Sequence, residues 1–191
     1  MQDTENLVRS AQEGNLSAFG QVYEAYYLRV YRYAAARVGQ GAEAEDITQE
    51  VFLKALNSLN KFKFTGPPFA AWLFRIAHNL VIDRARHYKA AAAATSGPPA
   101  PIDDALSVPG DDNVEEQAMV SLDMEALSEA LDKVTKLQRQ VIELRFLAGL
   151  SLAETAAVMS RNENAIKALQ HSALGALRRL LAPQASAEVV P

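Results

Sequence analysis

Residues 151–173, SLAETAAVMSRNENAIKALQHSA, read as two helices meeting across a tight joint. Ser151 and Glu154 have the spacing of a capping box, a hydroxyl and a carboxylate three residues apart that together satisfy orphan amides at a helix start. A short helix with a buried Ala156 follows, then a joint at Met159-Ser160-Arg161, then a second helix anchored by Ile166 and Leu169. That second helix leaves Asn162, Asn164, Lys167, Ala168, Gln170 and His171 available for exposure. Asn and Gln pair with adenine edges, Lys reads guanine or a phosphate, and a helix fits the major groove. Helix-turn-helix binding to DNA is one reading, and an ordinary helical hairpin with a solvated polar face is the other. Ser160 stands where such a joint commonly has glycine, which costs about 1 kcal/mol if the backbone there is left-handed.

Two more capping boxes are expected nearby, Thr135 with Gln138 and Ser160 with Glu163. Upstream, a long helix is expected from near Ser121, with Leu122, Leu127 and Leu131 on one face. Before it, residues 90–121 are rich in Ala, Pro, Gly and Asp and read as a linker. The alanines after Lys89 can prolong the preceding helix, and Gly97-Pro98-Pro99 must end it.

The N-terminal part shows apolar residues every three or four positions. Phe19, Val22, Tyr23, Tyr26, Val30 and Tyr33 form one stripe; Ile47, Val51, Phe52, Ala55, Leu56 and Leu59 form a second, behind an acidic helix start from Glu43 to Asp46. A third helix begins at Pro67-Pro68 and buries Phe69, Trp72, Leu73, Ile76 and Leu80. No segment alternates with period two. The expected fold is all-α: two small helical domains, 1–89 and 122–182, joined by a flexible acidic linker at 90–121, with a short tail at 183–191.

The net charge of −4 conceals an asymmetry. Between Ala90 and Asp132 there are ten acids and no Lys or Arg, so the rest of the chain carries +6. Two moderately basic modules flanking an acidic connector suit a nucleic-acid partner better than the average charge suggests. With no cysteine, disulfides and thiolate metal sites are excluded. The N-terminus lacks a signal-peptide pattern and no apolar run is long enough to span a bilayer, so a cytoplasmic chain with no membrane insertion is expected. No cofactor and no metal are expected, and an enzyme is disfavoured. His78, His87 and His171 have no metal partner at helical spacing, and no G-x-S-x-G, H-E-x-x-H or Gly-rich phosphate loop appears.

The helix from Pro68 to Lys89 carries a second polar face, with Arg75, His78, Asn79, Asp83 and Arg86 three or four residues apart. Arginines could hold phosphates while Asn79 and His78 meet a base; an exposed Asp83–Arg86 ion pair on a solvated face is the plainer reading.

The run from Glu45 through Asp46, Gln49, Glu50 and Phe52, followed by Gly66 to Arg86, resembles region two of extracytoplasmic-function (ECF) sigma factors of bacterial RNA polymerase. The run from Leu137 through Arg145, continuing to Ala165-Ile166-Lys167 and Ala173, is similar to their region four. The resemblance covers roughly residues 7–89 and 122–181 in the family's order. It implies that Asp46, Gln49 and Glu50 bind the polymerase. It implies that Lys63, Arg75, His78, Asn79 and Arg86 read and melt the −10 element, trapping an unstacked base. It implies that Asn162 to His171 read the −35 duplex. Core RNA polymerase and promoter DNA are then the partners, with an anti-sigma protein as a candidate third, and the acidic linker threads the RNA-exit path.

The chain departs from the family pattern at Val134-Thr135, where Leu-Pro is common, and at Ala165-Ile-Lys167-Ala168-Leu169, where Thr-Val-Lys-Ser-Arg is common. The alternative function is a two-domain helix-turn-helix regulator that never engages polymerase. A helical module whose basic faces meet acidic proteins is a third reading.

Overall fold

The computed structural model describes residues 2–94, 127 and 129–182, and every regular element among them is helical. The acidic stretch 95–126, including the expected helix start near Ser121 and the Gly97-Pro98-Pro99 stop, lies outside the described residues, as does the tail.

The N-terminal half contains α1 (Gln2–Gln12), α2 (Leu16–Val38), α3 (Ala42–Ser58), a 3-10 turn (Leu59–Lys61) and α4 (Phe69–Ala94). Local chemistry sets these limits. The Asn15 side chain caps α2 by accepting from the Ala18 amide at 3.2 Å. Gly39, at φ 90°, closes α2 and donates its amide to the Ala35 carbonyl. α3 has no side-chain cap but carries Glu43 and Glu45 in its first turn, where the helix dipole favours them. α4 opens one residue later than the sequence suggests, with Pro68 just outside and its carbonyl accepting from the Trp72 amide at 3.1 Å. The polyalanine prolongs α4 to Ala94.

The stripes behave largely as their spacing predicts. Val22, Tyr26, Val30 and Tyr33 are buried from α2, and Ile47, Val51, Phe52 and Ala55 from α3. Leu56 does not follow: it is 37% exposed, because it faces away from α2 and α4 while Leu59 turns back into the core through the 3-10 turn. Phe62, Phe69 and Trp72 form an aromatic cluster with ring centroids 5.3–5.5 Å apart. Gln12 fastens α1 to it by donating to the carbonyls of Leu59 and Phe62, both at 2.9 Å.

In the C-terminal half, helical residues at 127 and 129–133 precede α5 (Lys136–Ile142), a π-helical turn (Glu143–Leu147), α6 (Leu152–Met159) and α7 (Glu163–Leu181). The capping boxes at Thr135–Gln138 and Ser151–Glu154 are both formed. The third is corrected. Ser160 sits in the left-handed region at φ 53°, ψ 46° and closes α6, so its hydroxyl is not at a helix start; Asn162 caps α7 instead, accepting from the Ala165 amide at 2.8 Å.

The halves do not stand apart as two separately packed modules. Leu144, Ala148, Leu150 and Val158 of the C-terminal half complete the core of the N-terminal half. Ala130, Leu131, Ile142, Ala173 and Leu177 make a smaller core of their own, with Val141, Ala156 and Ile166 beneath the helix-turn-helix. No helix among the described residues is long and apolar enough to cross a membrane.

Candidate nucleic-acid and polymerase interfaces

On α3, Asp46 and Gln49 are exposed. Glu50 is half-buried and already paired, with Lys54 at 2.9 Å and with Arg84 of α4 at 3.7 Å. Two residues absent from the sequence-derived set extend the exposed face: Leu53, 58% exposed, and Leu56. Asp46, Gln49, Leu53 and Leu56 recur at intervals of three, four and three, a seam suited to a partner helix. The signal was present, since Leu53 falls off the Ile47–Val51–Ala55 stripe and has no place in the core.

On α4, Asn79 is exposed and lines a hollow of about 480 Å³ with Asp83 and Ile76 of the same helix and Lys54, Asn57, Ser58 and Lys61 across from it. Lys54, Asn57 and Ser58 were not singled out from the sequence, because they reach Asn79 only when the end of α3 packs beside α4. The hollow offers amide and hydroxyl groups, two ammonium groups and one carboxylate around an apolar floor, a chemistry that suits a nucleobase attached to its phosphate. Lys63 is exposed in the following loop, and Arg86 is exposed with Asp83 at 3.6 Å.

Arg75 and His78 are placed differently. Arg75 donates from Nε to the Ala157 carbonyl of α6 at 3.1 Å, with Nη2 on the same oxygen. His78 is half-buried: its Nδ1 lies 2.9 Å from the Tyr33 hydroxyl and 3.4 Å from the Gln140 amide nitrogen. Burial, and then the nearby Arg37 cation, holds the imidazole below its ordinary pKa. Burial holds the Tyr33 phenol well above the usual tyrosine range, so it remains a donor.

On α7, Asn164, Lys167, Ala168 and His171 are exposed at spacings of three, one and three, a single helical face. Gln170 is half-buried and accepts from Arg145 Nε at 3.0 Å, and the Asn162 side chain is spent on capping. Arg161, at the joint, lines an open hollow together with Arg75, Ser160 and Asn162. The structure thus brings Arg75 beside the joint of the helix-turn-helix, a neighbourhood that spacing alone does not reveal.

Comparison with known proteins identifies both halves. Residues 22–91 match the model for Sigma-70 region 2, and residues 130–179 match that for Sigma-70, region 4. The chain is 42% identical over 175 residues to the ECF RNA polymerase sigma factor BldN of Streptomyces coelicolor, covering 92% of this chain and 64% of that protein, so it spans just under two thirds of this relative's length. It is 32% identical to SigD of Mycobacterium tuberculosis over 90% of this chain and 81% of the relative. It is 30% identical to SigW of Bacillus subtilis over 91% and 94%. In fold it is similar to CnrH, solved in complex with the cytosolic domain of CnrY, with a TM-score of 0.70 at 24% identity over 94% of this chain and 97% of that one. The chain belongs to the ECF RNA polymerase sigma factors, the sigma-70 family members with regions 2 and 4.

Proposed function

We propose that this sigma factor docks on core RNA polymerase through Asp46, Gln49, Leu53 and Leu56 of α3, traps an unpaired base of the −10 element in the hollow at Asn79, and lays α7 along the −35 duplex. Promoter-specific initiation is the activity of the family to which the chain belongs. The observation that carries the residue-level reading is the adjacency of an exposed docking seam on α3 and a polar hollow shared by α3 and α4. A regulator that never met polymerase would have no use for the seam.

Lys63, Asn79 and Arg86 serve the −10 strand, with Arg75 and His78 joining them once they are released from the C-terminal half. Asn164, Lys167, Ala168 and His171 face the groove, while Gln170 and Asn162 support them from within the fold. The boundaries 1–89, 90–121 and 122–182 divide region 2, linker and region 4. An anti-sigma protein is a further proposed partner, by analogy with RpoE of Bartonella quintana, solved with the anti-sigma factor NepR. The cytoplasm, where polymerase works, is the proposed location. Run-off transcription with purified core polymerase tests the whole reading: a promoter-specific transcript is expected with the protein, and identical products with and without it would overturn the reading.

A further inference from the structure

One amide at the end of α1 fixes a turn to which it does not belong. Gln12 Nε2 donates to the carbonyls of Leu59 and Phe62, each at 2.9 Å, one hydrogen of the NH2 group for each. Those carbonyls bracket Lys61, which closes the 3-10 turn and lines the hollow at Asn79. Three residues earlier on α1, the exposed Arg9 lays its guanidinium over the Phe64 ring, 3.9 Å from the centroid. Phe64 packs on Phe62 with centroids 5.0 Å apart, and Phe62 packs on Phe69 and Trp72 at the head of α4.

The loop held in this way, residues 62–68, contains two aromatic residues, Phe62 and Phe64, and α1 grips both, the first by its carbonyl and the second by its ring. α1 itself precedes residue 22, where the match to Sigma-70 region 2 begins, and contributes no side chain to the lining of the hollow. A loop ordered before its ligand arrives binds more tightly, because its ordering entropy does not then offset the new contacts. We propose that α1 is a brace for strand capture: Gln12 and Arg9 are positioning residues that hold the turn carrying Lys61 and the loop carrying Lys63 ready for the unpaired −10 strand. The brace rests on the −10 reading above.

Holoenzyme assembled from core polymerase and the full chain is used to enrich a randomised single-stranded DNA pool. The enriched pool supplies the strand that the parent prefers, and affinity for that strand is then measured for each variant. Gln12→Leu is expected to weaken binding about 10-fold and Arg9→Leu about 3-fold. Arg9→Lys keeps a cation over the ring and is expected to recover most of the second loss. Affinity for core polymerase, carried by α3, is expected to match the parent's throughout, whereas a general loss of structure would lower both affinities. Arg9 is exposed, so Arg9→Leu keeps the test open if Gln12→Leu misfolds. A brace acts through the groups it holds, so adding Gln12→Leu to a chain already carrying Lys61→Ala and Lys63→Ala is expected to cost well under 10-fold more. A full further 10-fold loss there shows independent action and overturns the brace. Full-strength strand binding by folded Gln12→Leu and Arg9→Leu, beside a weakened Asn79→Ala, overturns the brace alone. An Asn79→Ala variant that binds as tightly as the parent overturns the −10 reading and the brace with it.

Discussion

Arg75 on α4 and Ala157 on α6 are joined by a guanidinium-to-carbonyl contact, Nε to O at 3.1 Å, across 82 residues of sequence. The carbonyl belongs to the last turn of α6, just before the left-handed Ser160 that turns the chain into α7. A residue proposed for the −10 strand therefore rests against the motif proposed for the −35 duplex, whereas Asn79, one turn further along α4, is exposed in its hollow.

Asn79→Ala is accordingly expected to act at strand capture. Open-complex formation on a duplex promoter should fall about 10-fold, the scale of one lost base contact, and a premelted −10 bubble should recover most of it. Permanganate footprinting on both templates measures this, and equal defects on the two would count against the hollow as a base pocket.

On α3, Leu53→Glu and Asp46→Lys should each weaken core binding by at least about 10-fold while the melting temperature holds, because both side chains project into solvent. Glu50→Gln should cost less affinity, since Glu50 is already engaged by Lys54 and Arg84. Titration of labelled protein with core polymerase ranks the three.

The exposed α7 face separates charge from readout. Lys167→Ala should weaken holoenzyme binding to all −35 sequences alike and reduce the salt dependence by about one phosphate contact. Asn164→Ala should cost about 1–3 kcal/mol on the preferred sequence and flatten discrimination at one base pair. Binding measured over a salt series with point-substituted −35 elements distinguishes the two.

Ser160→Gly should stabilise the protein by about 0.5–1 kcal/mol, because a residue with a Cβ occupies the left-handed region there. A urea titration should show a higher midpoint with an unchanged slope.

His78 gives stability a pH dependence of definite sign. Its folded-state pKa lies below the ordinary value near 6.5, so below about pH 6.5 the unfolded chain binds the extra proton more readily. Its contribution is complete above that pH and declines as the pH falls toward the folded-state value. Melting curves at pH 7.5 and 5.5 should show a smaller loss in His78→Gln than in the parent.

The sequence was most legible where one face of one helix meets one core. The α2 stripe, two capping boxes and the exposed run Asn164, Lys167, Ala168 and His171 all follow from spacing. Spacing failed where a side chain could satisfy two patterns. Leu56 fits the i, i+4 rhythm of Phe52 yet points outward, and Ser160 fits a capping box three residues before Glu163 yet is spent closing the previous helix. The union of the halves was not legible at all. Leu144 and Val158 look like the interior of the C-terminal domain, and Arg29, Arg37 and Arg139 look like ordinary surface charge. Only the meeting of Arg37 and Arg139 on Glu143, and of Arg29 on the carbonyls of Ala148 and Gly149, shows otherwise.

The π-helical turn from Glu143 to Leu147 accommodates one more residue per turn than an α-helix, with the Ala148 amide reaching the Glu143 carbonyl at 2.9 Å. That surplus residue is absorbed within the wider turn, so the Gly149 bend and α6 keep nearly the aim that an unbroken α-helix would give them. Removing one residue between Arg145 and Leu147 would restore the i to i+4 repeat, four residues of about 100° each completing the turn that five complete now, and is expected to leave the direction of α6 nearly unchanged. What such a deletion alters is which side chain of the turn meets α2, so the extra residue serves the facing surface of α2 and not the course of the chain beyond it.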